Sequence, residues 1–110
     1  MAGKYELKRA ASTQYMFNLK GGNGEKILTS ETYAAKSGAQ NGIQSVRVHS
    51  SSDQNYKRST ATNGQFYFTL VASNGEPLGR SETYTTQAAR ETGIQSCKTN
   101  GPTAPVDDQT

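Results

Sequence analysis

Polar and apolar residues alternate in two short runs of the chain. In YMFNL (15–19) Tyr15, Phe17 and Leu19 fall on one face of a strand, and in FYFTL (66–70) Phe66, Phe68 and Leu70 do the same. That face is the one a core covers. Asn23-Gly24 and Asn74-Gly75 follow, and supply the positive backbone angles of a tight hairpin that returns the chain into EKILTS (25–30) and EPLGRS (76–81). Upstream, YELKR (5–9) and YKRST (56–60) read as preceding strands, joined to the next through residues 10–13 and through a turn containing Asn63-Gly64. Pro77 cannot donate to a ladder, so the strand it opens is short or lies at an edge there.

After SETY (30–33 and 81–84) the period changes from two to nearly four. Ala35, Gly38, Ala39, Gly42, Ile43 and Val46 share one broad helical face, as do Thr86, Ala89, Gly93, Ile94 and Cys97. Thr85 or Thr86 is placed to cap the second helix, whereas the first has Ala34 and Ala35 there. Gly42 and Gly93 each cost roughly 1 kcal/mol of helix propensity. Close approach of helix to sheet accounts for them; the competing reading is that Asn41-Gly42 ends an early helix. The segment PVDDQT at the end of the chain is read as a closing strand that pairs within the sheet begun by the first copy, against the alternative of a frayed tail.

These elements are one unit written twice. A shift of 51 residues superimposes NGE on NGE, SETY on SETY and GIQS on GIQS without a gap. The expected architecture is therefore α+β, with two tandem β-β-β-α repeats (4–54 and 55–105) and a closing strand (106–110). They form one antiparallel sheet with two helices packed on it, in a single pseudo-twofold domain of 110 residues.

The doubled NGE, SETY and GIQS, with YFTLVASNGE (67–76) in the second copy, resemble the YegP-like family of small bacterial proteins over nearly the whole chain. The resemblance implies an α+β fold in which tandem repeats form one sheet and exchange terminal strands. It implies no activity and carries over no site. Ala34 and Ala35 depart from the Ser or Thr usual at the helix start.

Composition narrows the function classes. Apolar residues are 32% of the chain, and no run approaches the about 20 apolar residues of a membrane span. The N-terminus MAGKYELKRA has no apolar core of a signal peptide, and Cys97 is the only cysteine, so a cytoplasmic protein without disulfides is expected. The net charge of +3 is uneven: residues 1–60 hold nine Lys/Arg against four Asp/Glu, and residues 61–110 hold three against five. The basic half suggests nucleic-acid contacts through Tyr5, Lys8, Arg9, Lys20, Lys36 and Arg47. A solvated surface of mixed charge is the simpler explanation.

Catalytic candidates are few. His49 is the only histidine and its repeat partner is Asn100, so it is expected to serve the end of the first helix. Cys97 replaces Val46 on the apolar helical face and is expected to be buried. KGGNGEK (20–26) lacks P-loop spacing and leads into a strand. The polar residues kept in both copies are Glu31/Glu82, Tyr33/Tyr84, Gln44/Gln95 and Ser45/Ser96. Their expected role is structural: Ser30 and Ser81 leave the strand, the glutamates bond amides near the helix start, and the tyrosines pack the junction. No residue is assigned to a cofactor, a metal or catalysis. The function expected is that of a small soluble interaction or stress-related module, non-enzymatic and monomeric, with unidentified partners. Weak non-specific nucleic-acid binding is the alternative.

Overall fold

The computed structural model describes residues 3–11 and 13–110. Three strands, β1 (Lys4–Ala11), β2 (Gln14–Lys20) and β3 (Lys26–Ser30), lead into helix α1 (Lys36–His49). A 3-10 turn at Asp53–Asn55 opens the second copy, which contains β4 (Tyr56–Thr60), β5 (Phe66–Val71), β6 (Pro77–Arg80) and α2 (Gln87–Asn100). β7 (Val106–Asp108) closes the chain. One seven-stranded sheet results, in the order β4-β5-β6-β3-β2-β1-β7.

The alternation decides which face the helices cover. Tyr5, Leu7, Phe17, Leu19, Leu28, Phe68 and Leu70 join Ala39, Ile43, Val46, Ile94 and Cys97 in a single core, where the helices bury their apolar stripes. The opposite face of the sheet has no helix over it. There the cross-strand neighbours are polar: Lys4 beside Lys20, Glu6 beside Asn18, Thr29 beside Arg80 and Lys57 beside Thr69. At each Asn-Gly turn only the glycine adopts a positive φ, and the preceding asparagine accepts from the amide two residues on, as Asn23 Oδ1 does from Glu25 N at 3.1 Å. Thr86 caps α2 by accepting from Ala89 N at 3.0 Å, while Ala35 at the start of α1 offers no side-chain bond. The helices nevertheless occupy matching positions, so tertiary packing sets the α1 boundary without the cap.

The sheet departs from the expected pattern in one pairing. Six strands are antiparallel neighbours, but β7 runs parallel to β1, so the sheet is mixed. The repeat explains the direction. α1 carries the chain from β3 to the place beside β5, and α2 carries it from β6 toward the equivalent place beside β2. β1 already fills that place, so the arriving strand settles outside it, running the same way. Pro77 opens a four-residue strand that pairs with β5 from Pro77 but with β3 only from Gly79, so it sits inside the sheet without breaking a ladder to β3.

The pseudo-twofold axis passes between Thr29 and Arg80, which are repeat counterparts and face each other across the β3–β6 seam. At two places near this axis a side chain meets its own counterpart with room for only one. A Cβ on Gly79 would lie 2.7 Å from Leu28 Cγ, and one on Gly101 would lie 2.6 Å from Ser50 Cβ. Leu28 is the counterpart of Gly79, and Ser50 of Gly101. In both pairs one copy fills the space and the other yields it.

Candidate functional site

Within each repeated word the fold uses some residues and leaves others. The Ser30 hydroxyl accepts from Phe17 N at 2.9 Å and donates to Glu31 O at 2.7 Å, and Ser81 repeats both bonds with Phe68 N and Glu82 O at the same distances. Each serine thus stands in for a ladder bond where the strand swells outward. Pairing resumes at the tyrosine, since Tyr33 exchanges backbone bonds of 2.7 and 2.8 Å with Tyr15, and Tyr84 exchanges bonds of 2.6 and 2.8 Å with Phe66. The residues between, Glu31-Thr32 and Glu82-Thr83, are pushed into solvent. The expectation that Glu31 and Glu82 bond amides at the helix start is corrected: the serines do the bonding, and both carboxylates are exposed.

The tyrosine rings then lie against the helices. Tyr33 stacks on Phe17 with centroids 6.4 Å apart, and a Cβ on Gly42 would approach its hydroxyl oxygen to 2.5 Å. Gly93 stands in the same relation to Tyr84. Gly42 therefore sits inside α1, where its lack of a side chain admits the ring, and it does not end the helix. Ser45 and Ser96 each meet a residue one turn on, His49 and Asn100. His49 Nδ1 bonds Ser45 O at 2.8 Å, and Asn100 Nδ2 donates to Ser96 O at 2.8 Å. The other end of each side chain reaches a different part of the molecule: His49 Nε2 meets Ser73 Oγ at 3.1 Å, and Asn100 Oδ1 accepts from Gly3 N at 3.1 Å. Gln44 and Gln95 are exposed and bond nothing among the described residues.

Two concave regions collect the repeated words. One is a groove of about 460 Å³ along the β3–β6 seam, lined by Thr29, Glu31, Thr69, Arg80 and Glu82. The other is a cleft of about 450 Å³ between the β2–β3 hairpin and α2, where Asn23 and Glu25 of the first copy meet Tyr84, Gly93 and Ser96 of the second. Reading the copies separately hides this meeting, because the cleft needs both. Burial first, then Glu25 and Glu82, push the Tyr84 hydroxyl above its ordinary range; burial, Glu31 and Glu76 do the same for Tyr33.

Charge pairing separates the carboxylates into two sets. Glu6, Asp53, Glu91, Asp107 and Asp108 each sit within 4.0 Å of a lysine or arginine nitrogen. Glu25, Glu31, Glu76 and Glu82 form no ion pair among the described residues, and all four are exposed. These four are the carboxylates that both copies keep.

The basic residues do not share one surface. Lys8 and Lys20 flank Glu6 at 3.2 and 3.1 Å on the uncovered sheet face, and Lys36 holds Asp108 at 2.6 Å. Arg47 lies over the buried Tyr5 ring and donates to Ala104 O at 2.7 Å, while Arg9 lies over Tyr15. Tyr5 is fully buried and offers no ring to a base. Cys97 is also fully buried, and burial pushes its thiol up to about 11.

A family model described as a domain of unknown function, DUF1508, matches residues 10–56 and again residues 61–108. The UPF0339 protein YegP of Escherichia coli K12 is 49% identical over 110 residues, covering all of both chains. A UPF0339 protein of Bordetella pertussis is 54% identical over 110 residues, covering all of this chain and 98% of its own. The solution NMR structure of the Escherichia coli protein, described as of unknown function, matches with a TM-score of 0.93 over 100% of this chain and 95% of that one, at 49% identity. That of a UPF0339 protein from Shewanella oneidensis matches with a TM-score of 0.91 at 46% identity, over 98% of this chain and 92% of the other.

Proposed function

The chain belongs to the DUF1508 family, and on that premise we propose that it is a small non-enzymatic interaction module, monomeric and cytoplasmic. The observation that carries this reading is the set of exposed side chains that both copies keep and the fold does not use: Glu25, Glu31, Thr32 and Gln44 with their counterparts Glu76, Glu82, Thr83 and Gln95. A residue retained for packing has packing partners; these have solvent. Contact with another molecule accounts for keeping them. The non-enzymatic part rests on what the reactive side chains already do. His49 is held between Ser45 and Ser73, and the Cys97 thiol is buried. Glu31 and Glu82 are repeat counterparts in matching, exposed surroundings, whereas paired acid and base chemistry needs two carboxylates held in different ones. Among the described residues no helix is long and apolar enough to cross a membrane.

Photocrosslinking in cells tests the reading. A benzoylphenylalanine at Thr32 or Thr83 should give a discrete adduct with a partner, and the same group at the exposed Thr62 should not. Equal or absent labelling at all three positions overturns the reading.

A second reading, weak non-specific nucleic-acid binding, draws on Lys4, Lys8 and Lys20, which surround Glu6 on the uncovered sheet face. About three phosphates at most are neutralised. The salt dependence expected is then a slope of about −2 to −3, without sequence preference. Submicromolar, sequence-dependent binding of an oligonucleotide at about 0.15 M salt would promote this reading over the first.

A further inference from the structure

The cleft between the β2–β3 hairpin and α2 has the chemistry to hold one kind of side chain. Its floor is apolar, made by the buried Ile27, by Ala89 and by the half-buried Tyr84 ring, whose hydroxyl packs over the buried Gly93. Around it stand Asn23, Lys26, Thr92 and Ser96, with Glu25, whose carboxylate forms no ion pair among the described residues, and the Tyr84 hydroxyl, which makes no hydrogen bond among them. After burial, Glu25 and Glu82, from different copies, both act on the Tyr84 hydroxyl. An apolar trough ending in a free carboxylate and an aromatic face suits a long aliphatic stem with a cationic head.

We propose that this cleft and its twofold counterpart each receive an arginine side chain from a partner protein. The guanidinium would sit over the tyrosine ring and donate to Glu25 in one cleft and to Glu76 in the other. At the counterpart position Glu76 and Glu31 act on Tyr33, and Gly42 gives Tyr33 the room that Gly93 gives Tyr84. The counterparts differ at Lys26/Pro77, Ile27/Leu78, Ala89/Gly38 and Thr92/Asn41, and only the first of these changes charge. Lys26 lines the first, and its counterpart in the second is Pro77, so the first carries a competing cation and the second does not. The second cleft is the tighter of the two. A partner with two suitably spaced arginines would engage both, which gives the duplication a use.

This inference rests on the interaction-module reading, and its test is independent of the crosslinking. The intact protein is titrated, by amide NMR, with an acetylated Gly-Arg-Gly amide and with the same peptide carrying citrulline, which is neutral and nearly isosteric. The arginine peptide should shift Glu76, Tyr33 and Gly42 at lower concentration than Glu25, Tyr84 and Gly93. The citrulline peptide should bind at least about tenfold more weakly at both. Glu76→Gln should weaken the first set of shifts about tenfold and leave the second unchanged, and Lys26→Gln should bring the second set close to the first. Shifts confined to the seam groove around Thr29 and Arg80, equal response to citrulline, or no shift at either cleft would each overturn the proposal. Crosslinked adducts at Thr32 with no arginine shifts would remove this occupant alone; loss of the adducts would remove the interaction reading itself.

Discussion

The two outer edges of the sheet meet the same hazard by different means. Beside β1 lies β7: Tyr5 N donates to Pro105 O and Gln109 N to Leu7 O, both at 2.8 Å, and Leu7 is fully buried. Beside β4 lies no strand among the described residues. The amide of Tyr56, counterpart of Tyr5, donates instead to the Asp53 carbonyl of the local 3-10 turn, and Arg58 stands where the first copy has Leu7. Its guanidinium bonds Glu91 at 2.8 Å and Asp53 at 2.9 Å, and Lys98 reaches Asp53 at 2.8 Å. Lys98 is the counterpart of Arg47, which at the first edge bonds the carbonyl of Ala104. One edge is covered by chain and the other blunted by charge. Duplication copied the position of an edge and left its protection to be solved separately, as the exchange of Leu7 for Arg58 shows.

Exchanging the edge residues should break this comparison most severely. Leu7→Arg places a guanidinium in the core with no carboxylate to meet it, and urea unfolding should show a loss above about 3 kcal/mol or no folded protein. Arg58→Leu removes only surface pairs and should cost under about 1 kcal/mol, while gel filtration shows self-association rising with concentration. Equal costs for the two exchanges would mean that the edges are not differently protected. Truncation after Pro105 is the next largest effect. It removes at least two ladder bonds at about 1 kcal/mol each, and should lower stability by about 2–3 kcal/mol and expose β1 to pairing. An unchanged melting curve would show that β7 merely rests on the edge.

Deeper in the molecule the copies should respond alike. Gly42→Ala and Gly93→Ala each drive a methyl into a tyrosine hydroxyl, and the overpacking of about 1–2 kcal/mol outweighs the helix propensity gained. Tyr33→Phe should recover part of the Gly42→Ala loss and none of the Gly93→Ala loss. Acid is the mildest perturbation and acts at both edges. Burial would raise Glu6, but hydrogen bonds from Lys20 and Lys8 hold it at about 2, and hydrogen bonds from Arg58 and Lys98 hold Asp53 at about 2. A carboxylate lowered on folding contributes stability above its ordinary value near 4 that is lost as pH falls through its folded value. Melting temperature should therefore decline between about pH 4.5 and pH 2, and Glu6→Gln should flatten that decline.

Much of this fold was legible because the repeat pins it from both sides. Alternation in YMFNL and FYFTL identified the core face, and the Asn-Gly pairs marked hairpins whose glycines do take positive φ. The parallel course of β7 was not legible, since three residues, VDD, carry no apolar pattern to set direction. It follows from the place already occupied by β1. The site was read less well for a different reason. SETY looked like one structural word, but its serine and tyrosine serve the sheet while its glutamate and threonine do not, and only the outward swelling of the strand separates them. The clefts were invisible because Glu25 and Tyr84 are far apart in sequence and in different copies.

The central claim is that the carboxylates both copies keep are held for a partner and not for the fold. It is tested most directly by melting two quadruple variants beside the parent protein. Glu25→Gln, Glu31→Gln, Glu76→Gln and Glu82→Gln together should melt within about 3 °C of it, because none of the four has an ion pair to lose among the described residues. Glu6→Gln, Asp53→Asn, Glu91→Gln and Asp108→Asn together dismantle the paired networks and should melt about 5–10 °C lower. A fall in the first variant as large as in the second would return Glu25, Glu31, Glu76 and Glu82 to the fold and contradict the account.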